Sequence, residues 1–251
     1  MMNKSTNPFK KDKKQLSIFT TAGYPKLDSL SSQIKELEDN GVDFIEVGIP
    51  FSDPIADGPT IQRTSSIAIG NGMNLNVLFS QLNKIKPNVP LVLMGYLNPI
   101  INFGVEKFLV KCSTIGIQTV ILPDLSVEIY LRDYEKLFLK NKVNPVFLVT
   151  PNTEIERVKV IAQLCENSFV YLVSDNATTG NEAIKFDDQS QRFSRIKQHC
   201  GDTPVFIGFG IASKPDVDKV HELVDGAIIG SAYLKSVEKN EELEFIRKLL
   251  R

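Results

Sequence analysis

Eight short apolar runs, at 16–20, 44–49, 91–94, 119–122, 143–149, 169–173, 205–207 and 227–229, punctuate the chain at regular intervals. They are rich in β-branched and aromatic residues, as strands are. Most end in a cluster of turn formers, such as Gly95-Tyr96-Leu97-Asn98-Pro99 or Thr150-Pro151-Asn152. The segments between them, at 27–40, 60–70, 75–85, 105–115, 127–140, 154–166, 189–200 and 217–223, and a last one running to 250, predict helices. Leu30, Ile34 and Leu37 show the three-to-four spacing involved, and Gly41 and Gly116 are good helix stops. The phrases GVDFIEVG, GIQTVILP and VDGAIIG repeat one unit: end of helix, strand, turn. The strands are continuous rather than alternating, which fits parallel strands covered on both faces. Eight such units in 251 residues predict an α/β fold, a single (β/α)8 barrel over 1–251 with a short N-terminal extension. A doubly wound open sheet is the rival, but no GxGxxG sits at a strand-to-helix junction.

Composition narrows the function classes. Lys plus Arg is 29 and Asp plus Glu is 30, a formal charge of −1, so nothing suggests a nucleic-acid or membrane surface. No apolar run is long enough to cross a bilayer. The start, MMNKSTNPFKKDKKQ, is polar and basic, without a signal-peptide core, and reads as a short capping helix. Cys112, Cys165 and Cys200 are scattered and form no CxxC, which predicts free thiols and a cytoplasmic address.

One strand breaks its own pattern. In Phe44-Ile45-Glu46-Val47 a carboxylate sits inside an apolar run, where an unpaired charge costs several kcal/mol. Alternation puts Ile45 and Val47 on one face and Phe44, Glu46 and Gly48 on the other, so Glu46 is expected to point into the barrel. Eleven positions on, Asp57 precedes Gly58-Pro59, where a helix should begin. Each residue has a plainer reading, Glu46 as a structurally held carboxylate and Asp57 as a turn or N-cap residue. Together, on one strand and its loop, they reach the same barrel mouth, where such folds do their chemistry, and form a candidate acid/base pair. Gly208-Phe209-Gly210 and Gly230-Ser231, after the last two strands, suit an anion, because glycine lets backbone N–H groups approach and the helices that follow aim their N-termini at it. Gly180, in the long loop after the sixth strand, is a candidate further donor. Phe19, Met94, Ile121, Leu148, Tyr171 and Phe209, near strand ends, are candidate apolar walls, with core packing the alternative for each. No Lys stands at a strand end, which argues against Schiff-base chemistry. The only histidines, His199 and His221, fall in predicted helices, so neither a catalytic zinc nor a Ser-His pair is expected.

The run EVGIPFSDPIADGP resembles the signature of the tryptophan synthase α subunit. TTAGYP, MGYLNP, GFGI and GAIIGSA match that family in order, so the resemblance covers nearly the whole chain. It implies cleavage of indole-3-glycerol phosphate to indole and glyceraldehyde 3-phosphate, a retro-aldol step in tryptophan biosynthesis. Glu46 matches the acid/base residue and Asp57 the second carboxylate, which holds the indole N–H. Gly180, Gly208, Phe209, Gly210, Gly230 and Ser231 match the phosphate-binding stretches, and Phe19 and Tyr171 line the substrate pocket. Asp53 and Pro54 fall in the loop that meets the β subunit. That partner, in an α2β2 heterotetramer, carries pyridoxal phosphate and receives indole through a tunnel; no cofactor is implied for this chain. Two stretches depart from the family. Its SRxGVTG loop is SDNATTG here, Ser174 to Gly180, keeping Thr179 and Gly180 but placing Asp175 and Ala177 where Arg and Gly are usual. Its Ala-Asp-Leu-Pro is Pro123-Asp124-Leu125-Ser126. The altered loop leaves room for a second reading, a barrel that mainly activates its partner, although such a barrel need not keep both carboxylates. A third, another phosphosugar barrel, is disfavoured by the missing strand-end Lys.

Overall fold

In the computed structural model the described residues are 7–173, 186–208 and 210–250. Their strands are β1 Gln15–Thr21, β2 Phe44–Gly48, β3 Leu91–Met94, β4 Thr119–Ile121, β5 Asn144–Val146, β6 Leu148–Val149, β7 Val170–Val173, β8 Val205–Gly208 and β9 Gly226–Ile229. They form one sheet in the order β5-β4-β3-β2-β1-β9-β8-β7-β6, with parallel pairing throughout. The two ends of that order, β5 and β6, are halves of the single strand expected at 143–149, broken at Phe147. The Phe147 carbonyl accepts from the Tyr171 N–H at 3.1 Å, so the sheet closes on itself. Pro145, which has no N–H to donate, leaves a gap in the ladder on this stave. Helices surround the strands, giving the (β/α)8 barrel that the alternation predicts. Every residue of β1 and β2 is buried, which is why both read as unbroken apolar runs.

The interior face is fixed by aromatic contacts. Phe44 of β2 meets Phe206 of β8 edge-on with ring centroids 5.2 Å apart, though those strands are not neighbours in the sheet. The rings therefore cross the lumen. Phe169, just before β7, joins them at 5.6 and 4.9 Å, and Phe9 closes the floor at 5.0 Å from Phe44 and 4.8 Å from Phe169. The expected N-terminal capping helix is not formed among the described residues: 8–13 are turns and bends. Phe9, the one large apolar residue between Pro8 and Gln15, inserts into the barrel instead. The carboxylates around this floor are paired, although the buried Ser17 hydroxyl opposite Phe44 is not. The buried Asp225 carboxylate accepts from the backbone N–H groups of Asp12 at 2.7 Å and Val205 at 2.8 Å and from Lys197 Nζ at 3.0 Å. Asp43 accepts from the Leu16 N–H at 2.9 Å.

Three helical details differ from expectation. A helix, Leu97–Phe103, follows β3 where a plain turn was read from GYLNP. Pro99 lies in its first turn, where a missing N–H costs no intrahelical bond. The helix expected over 127–140 contains a π turn at Tyr130–Tyr134. The last helix is two, Ser231–Lys239 and Glu242–Leu250, separated at Asn240, whose φ is +56°. No helix among the described residues is long and apolar enough to cross a membrane. Cys112, Cys165 and Cys200 are free and buried, as their spacing predicts.

Candidate active site

Glu46 stands two residues beyond Phe44 on the same interior face. It is wholly buried, and neither carboxylate oxygen has a hydrogen-bond partner. Burial alone raises its pKa to about 8, so the side chain carries a proton at neutral pH. Its register partner on β1 is Phe19. A Cβ built on Gly48 would land on the Phe19 ring, so this glycine makes room for the aromatic wall above Glu46. Gly230 abuts the same residue, with its hypothetical Cβ 3.5 Å from Phe19 Cβ. On the facing strands Tyr171 is buried, and a Cβ on Gly208 would land on its hydroxyl. Burial, then the charges of Glu46 and Asp57, push the Tyr171 phenol well above its ordinary pKa. Tyr171 thus lies within electrostatic reach of both carboxylates.

Asp57 lies half-buried on the loop after β2, before the helix Pro59–Gly70. Burial raises its pKa to about 6, and a hydrogen bond from Tyr96 works against that rise. At neutral pH the two acids therefore differ: Glu46 is protonated and Asp57 is largely charged. Environments that push a pair of carboxyl groups apart in this way are how one site supplies both an acid and an anion. The sequence reading did not single out Tyr96. Its hydroxyl accepts from the Ala56 N–H at 3.1 Å, and its ring packs on Phe51 at 5.4 Å between centroids. The available signal was a phenol on a loop leaving a strand's C-terminal end, but it sat in a run that otherwise reads as a turn. Asp124 has a local task, both of its oxygens accepting from the Leu97 N–H at 2.9 and 3.0 Å, which caps the helix Leu97–Phe103.

The two glycine turns are not equivalent. Gly230 is the N-cap of Ser231–Lys239, and its side-chain-free cap leaves the first N–H groups open to an anion. The helix after β8 begins only at Lys214, and its N-terminus is closed by a capping box. There Asp216 accepts from the N–H groups of Ala212 at 3.1 Å and Ser213 at 2.9 Å. The two helix starts expected to face an anion therefore differ in how their entry residues are held. Gly208 and Gly210, the latter with φ +73°, contribute backbone only. Thr179, Gly180 and Phe209 lie outside the described residues. Beside the mouth, Asp53 is exposed and hydrogen-bonded by Ser52, Pro54 is half-buried, and Ile55 is 77% exposed, the highest value among the large apolar side chains described.

Known proteins resemble this chain along nearly its whole length. Residues 6–249 match the family described as tryptophan synthase alpha chain. The tryptophan synthase alpha chains of Flavobacterium johnsoniae and Flavobacterium psychrophilum are 44% and 45% identical over 241 residues, 95% of this chain and 95% of each of theirs. Among solved structures, a mutant tryptophan synthase alpha-subunit from the hyperthermophile Pyrococcus furiosus superposes with a TM-score of 0.84 at 34% identity, covering 96% of this chain and 99% of that one. A chain of the tryptophan synthase complex from the same organism gives the same figures.

Proposed function

The chain belongs to the tryptophan synthase alpha chain family, and from that membership we propose that Glu46 and Asp57 carry out its reaction. The activity is cleavage of indole-3-glycerol phosphate to indole and glyceraldehyde 3-phosphate, a lyase step of tryptophan biosynthesis. One observation carries the assignment of roles: a fully buried, unpartnered carboxyl group that holds its proton at neutral pH.

Indole does not leave carbon as an anion, so C3 must first gain a proton. Glu46 supplies it, giving an indolenine cation. Asp57 accepts a hydrogen bond from the ring N–H and stabilises the positive charge as it develops. The Glu46 carboxylate then takes the proton from the hydroxyl on the carbon attached to C3. The C3–carbon bond breaks, its electron pair restores the indole ring, and the hydroxyl carbon becomes the aldehyde. One proton is given and one regained, so Glu46 ends as it began. Phe19 and Tyr171 wall the indole. Gly208, Gly210, Gly230 and Ser231, with Thr179, Gly180 and Phe209, bind the phosphate, the N-terminus of Ser231–Lys239 contributing its dipole. The chemistry asks for no cofactor in this chain. Asp53, Pro54 and the exposed Ile55 face a β subunit in an α2β2 assembly, and pyridoxal phosphate belongs to that partner. A cytoplasmic address fits three free thiols.

The experiment is indole release from indole-3-glycerol phosphate by the purified chain, with and without β subunit. Asp57→Asn should lower kcat by about 10²- to 10³-fold, the usual scale for losing one electrostatic stabiliser, while substrate still binds through its phosphate. Release by Asp57→Asn within twofold of wild type removes Asp57 from the chemistry.

A further inference from the structure

Asp57 sits on a loop, and loops hold charged groups loosely unless something grips them. The grip comes from the next stave. Tyr96 is 5% exposed and leaves the end of β3, where its ring lies against Phe51 at the start of the Asp57 loop. Its hydroxyl takes the Ala56 N–H, one residue from Asp57, at 3.1 Å as an acceptor, which leaves its own proton for the neighbouring Asp57 side chain, whose ionised form it favours. A phenol has one proton, so with the Ala56 N–H pointing at the oxygen that proton is directed to the carboxylate. The backbone behind Tyr96 is held as well, since Asp124 fixes the N–H of Leu97 with both oxygens. We propose that Tyr96 is a positioning residue for the lyase reaction, clamping the loop backbone at Ala56 and the Asp57 carboxylate with one hydroxyl, so that Asp57 meets the indole N–H without reorganising. This rests on the assignment of Asp57 made above.

The clamp also biases charge. A donor to a carboxylate stabilises its ionised form, so the bond from Tyr96 holds Asp57 below the value that burial alone would give. The titratable groups around the pair are few. Tyr171 faces Asp57 from β7, Glu46 faces Tyr171 from β2, and Asp124 faces Tyr96 from the loop after β4. Burial first, then Asp57 and Asp124, push the Tyr96 phenol well above its ordinary value, so Tyr96 remains a donor across the working range.

The test is the pH profile of kcat/KM for indole release by the chain with β subunit, in wild type, Tyr96→Phe and Asp57→Asn. Tyr96→Phe keeps the ring on Phe51 and removes only the hydroxyl. It should lower kcat about 10- to 100-fold, the scale of a lost hydrogen bond to a charged group, with KM changed less than threefold. The acid limb, set by ionisation of Asp57, should move to higher pH by about one unit. Substituting 3-fluorotyrosine at 96, which keeps the shape and strengthens the donor, should move the limb the other way even if the phenylalanine variant folds poorly. An unmoved limb in both variants, with kcat of Tyr96→Phe within twofold of wild type, overturns the proposal. If Asp57→Asn is inactive while that holds, only the role of Tyr96 fails. If Asp57→Asn is fully active, the assignment of Asp57 fails and Tyr96 has nothing to position.

Discussion

Two buried carboxylates, at opposite ends of the barrel, are treated in opposite ways. Asp225, at the floor, accepts two backbone N–H groups and a lysine, and ties the N-terminal segment to β8. Glu46, towards the mouth, is just as buried and has no partner. The aromatic residues repeat the contrast. Phe9, Phe44, Phe169 and Phe206 pack edge to face and fill the floor, whereas Phe19 and Tyr171 lie over Gly48 and Gly208, which give them space without filling it. A carboxyl group with partners is a fastening; on the proposed assignment, one without them is available for chemistry. The floor stabilises the fold, and under the proposed roles the mouth gives up stability to keep a proton available.

Glu46→Gln tests that contrast most severely. Loss of the acid should cut indole release by at least about 10³-fold, towards the upper range for general acid–base catalysis. The same change should make the protein more stable. The ordinary value for this side chain is near 4.5 and the folded value is about 8, so between those limits the native chain holds a proton that the unfolded chain has lost. Stability of the wild type therefore falls as pH rises through that window and levels off above it. Glu46→Gln lacks this slope, and by pH 8 it should be ahead by on the order of 2 kcal/mol in denaturant melts, after discounting a buried amide. Parallel stability curves for the two proteins from pH 5 to 8 would mean that Glu46 is charged in the native state, and the division between the two ends would be lost.

Much of this contrast is written in the sequence, and what is not has a physical reason. The staves are legible because a parallel strand buried on both faces needs continuous apolar residues, and Glu46 is legible because it interrupts one. Its direction followed from alternation alone. The partnership of Tyr96 and Asp57 was hidden, because it joins residues on different staves and local spacing carries no trace of it. Phe9 was hidden among lysines, where a basic run suggested a short capping helix rather than an aromatic plug. Leu97–Phe103 was masked by Pro99, which reads as a breaker anywhere except the first turn. Asp216 closing its own helix could have been read from the serine three residues before it, a capping-box spacing that the glycine turn next to it overshadowed.

Phe9→Ala probes the floor. Truncating a buried phenylalanine costs about 3–5 kcal/mol, and Phe9 should sit at the lower end, near 3, because the segment carrying it can partly collapse into the space. The Tm should drop accordingly while kcat at a temperature where the variant is folded stays within about twofold. If instead the folded variant loses activity as severely as Glu46→Gln, the two ends of the barrel are coupled and their separation is lost.

The smallest effect, and the finest probe of the mouth, is Gly208→Ala. The new methyl would fall on the Tyr171 hydroxyl and lie 2.6 Å from ring carbon Cε1, and the ring is too enclosed to swing away freely. Overpacking of this kind costs about 1–3 kcal/mol. Some of that cost should be met by displacing Tyr171 into the space where the indole would lie, raising KM by about three- to tenfold with a lesser effect on kcat. Adding Tyr171→Phe removes the nearest atom but not Cε1, so the double variant should recover only a fraction of the loss. Full additivity of the two substitutions would show that Gly208 and Tyr171 do not press on each other, and that the glycine is there for the backbone alone.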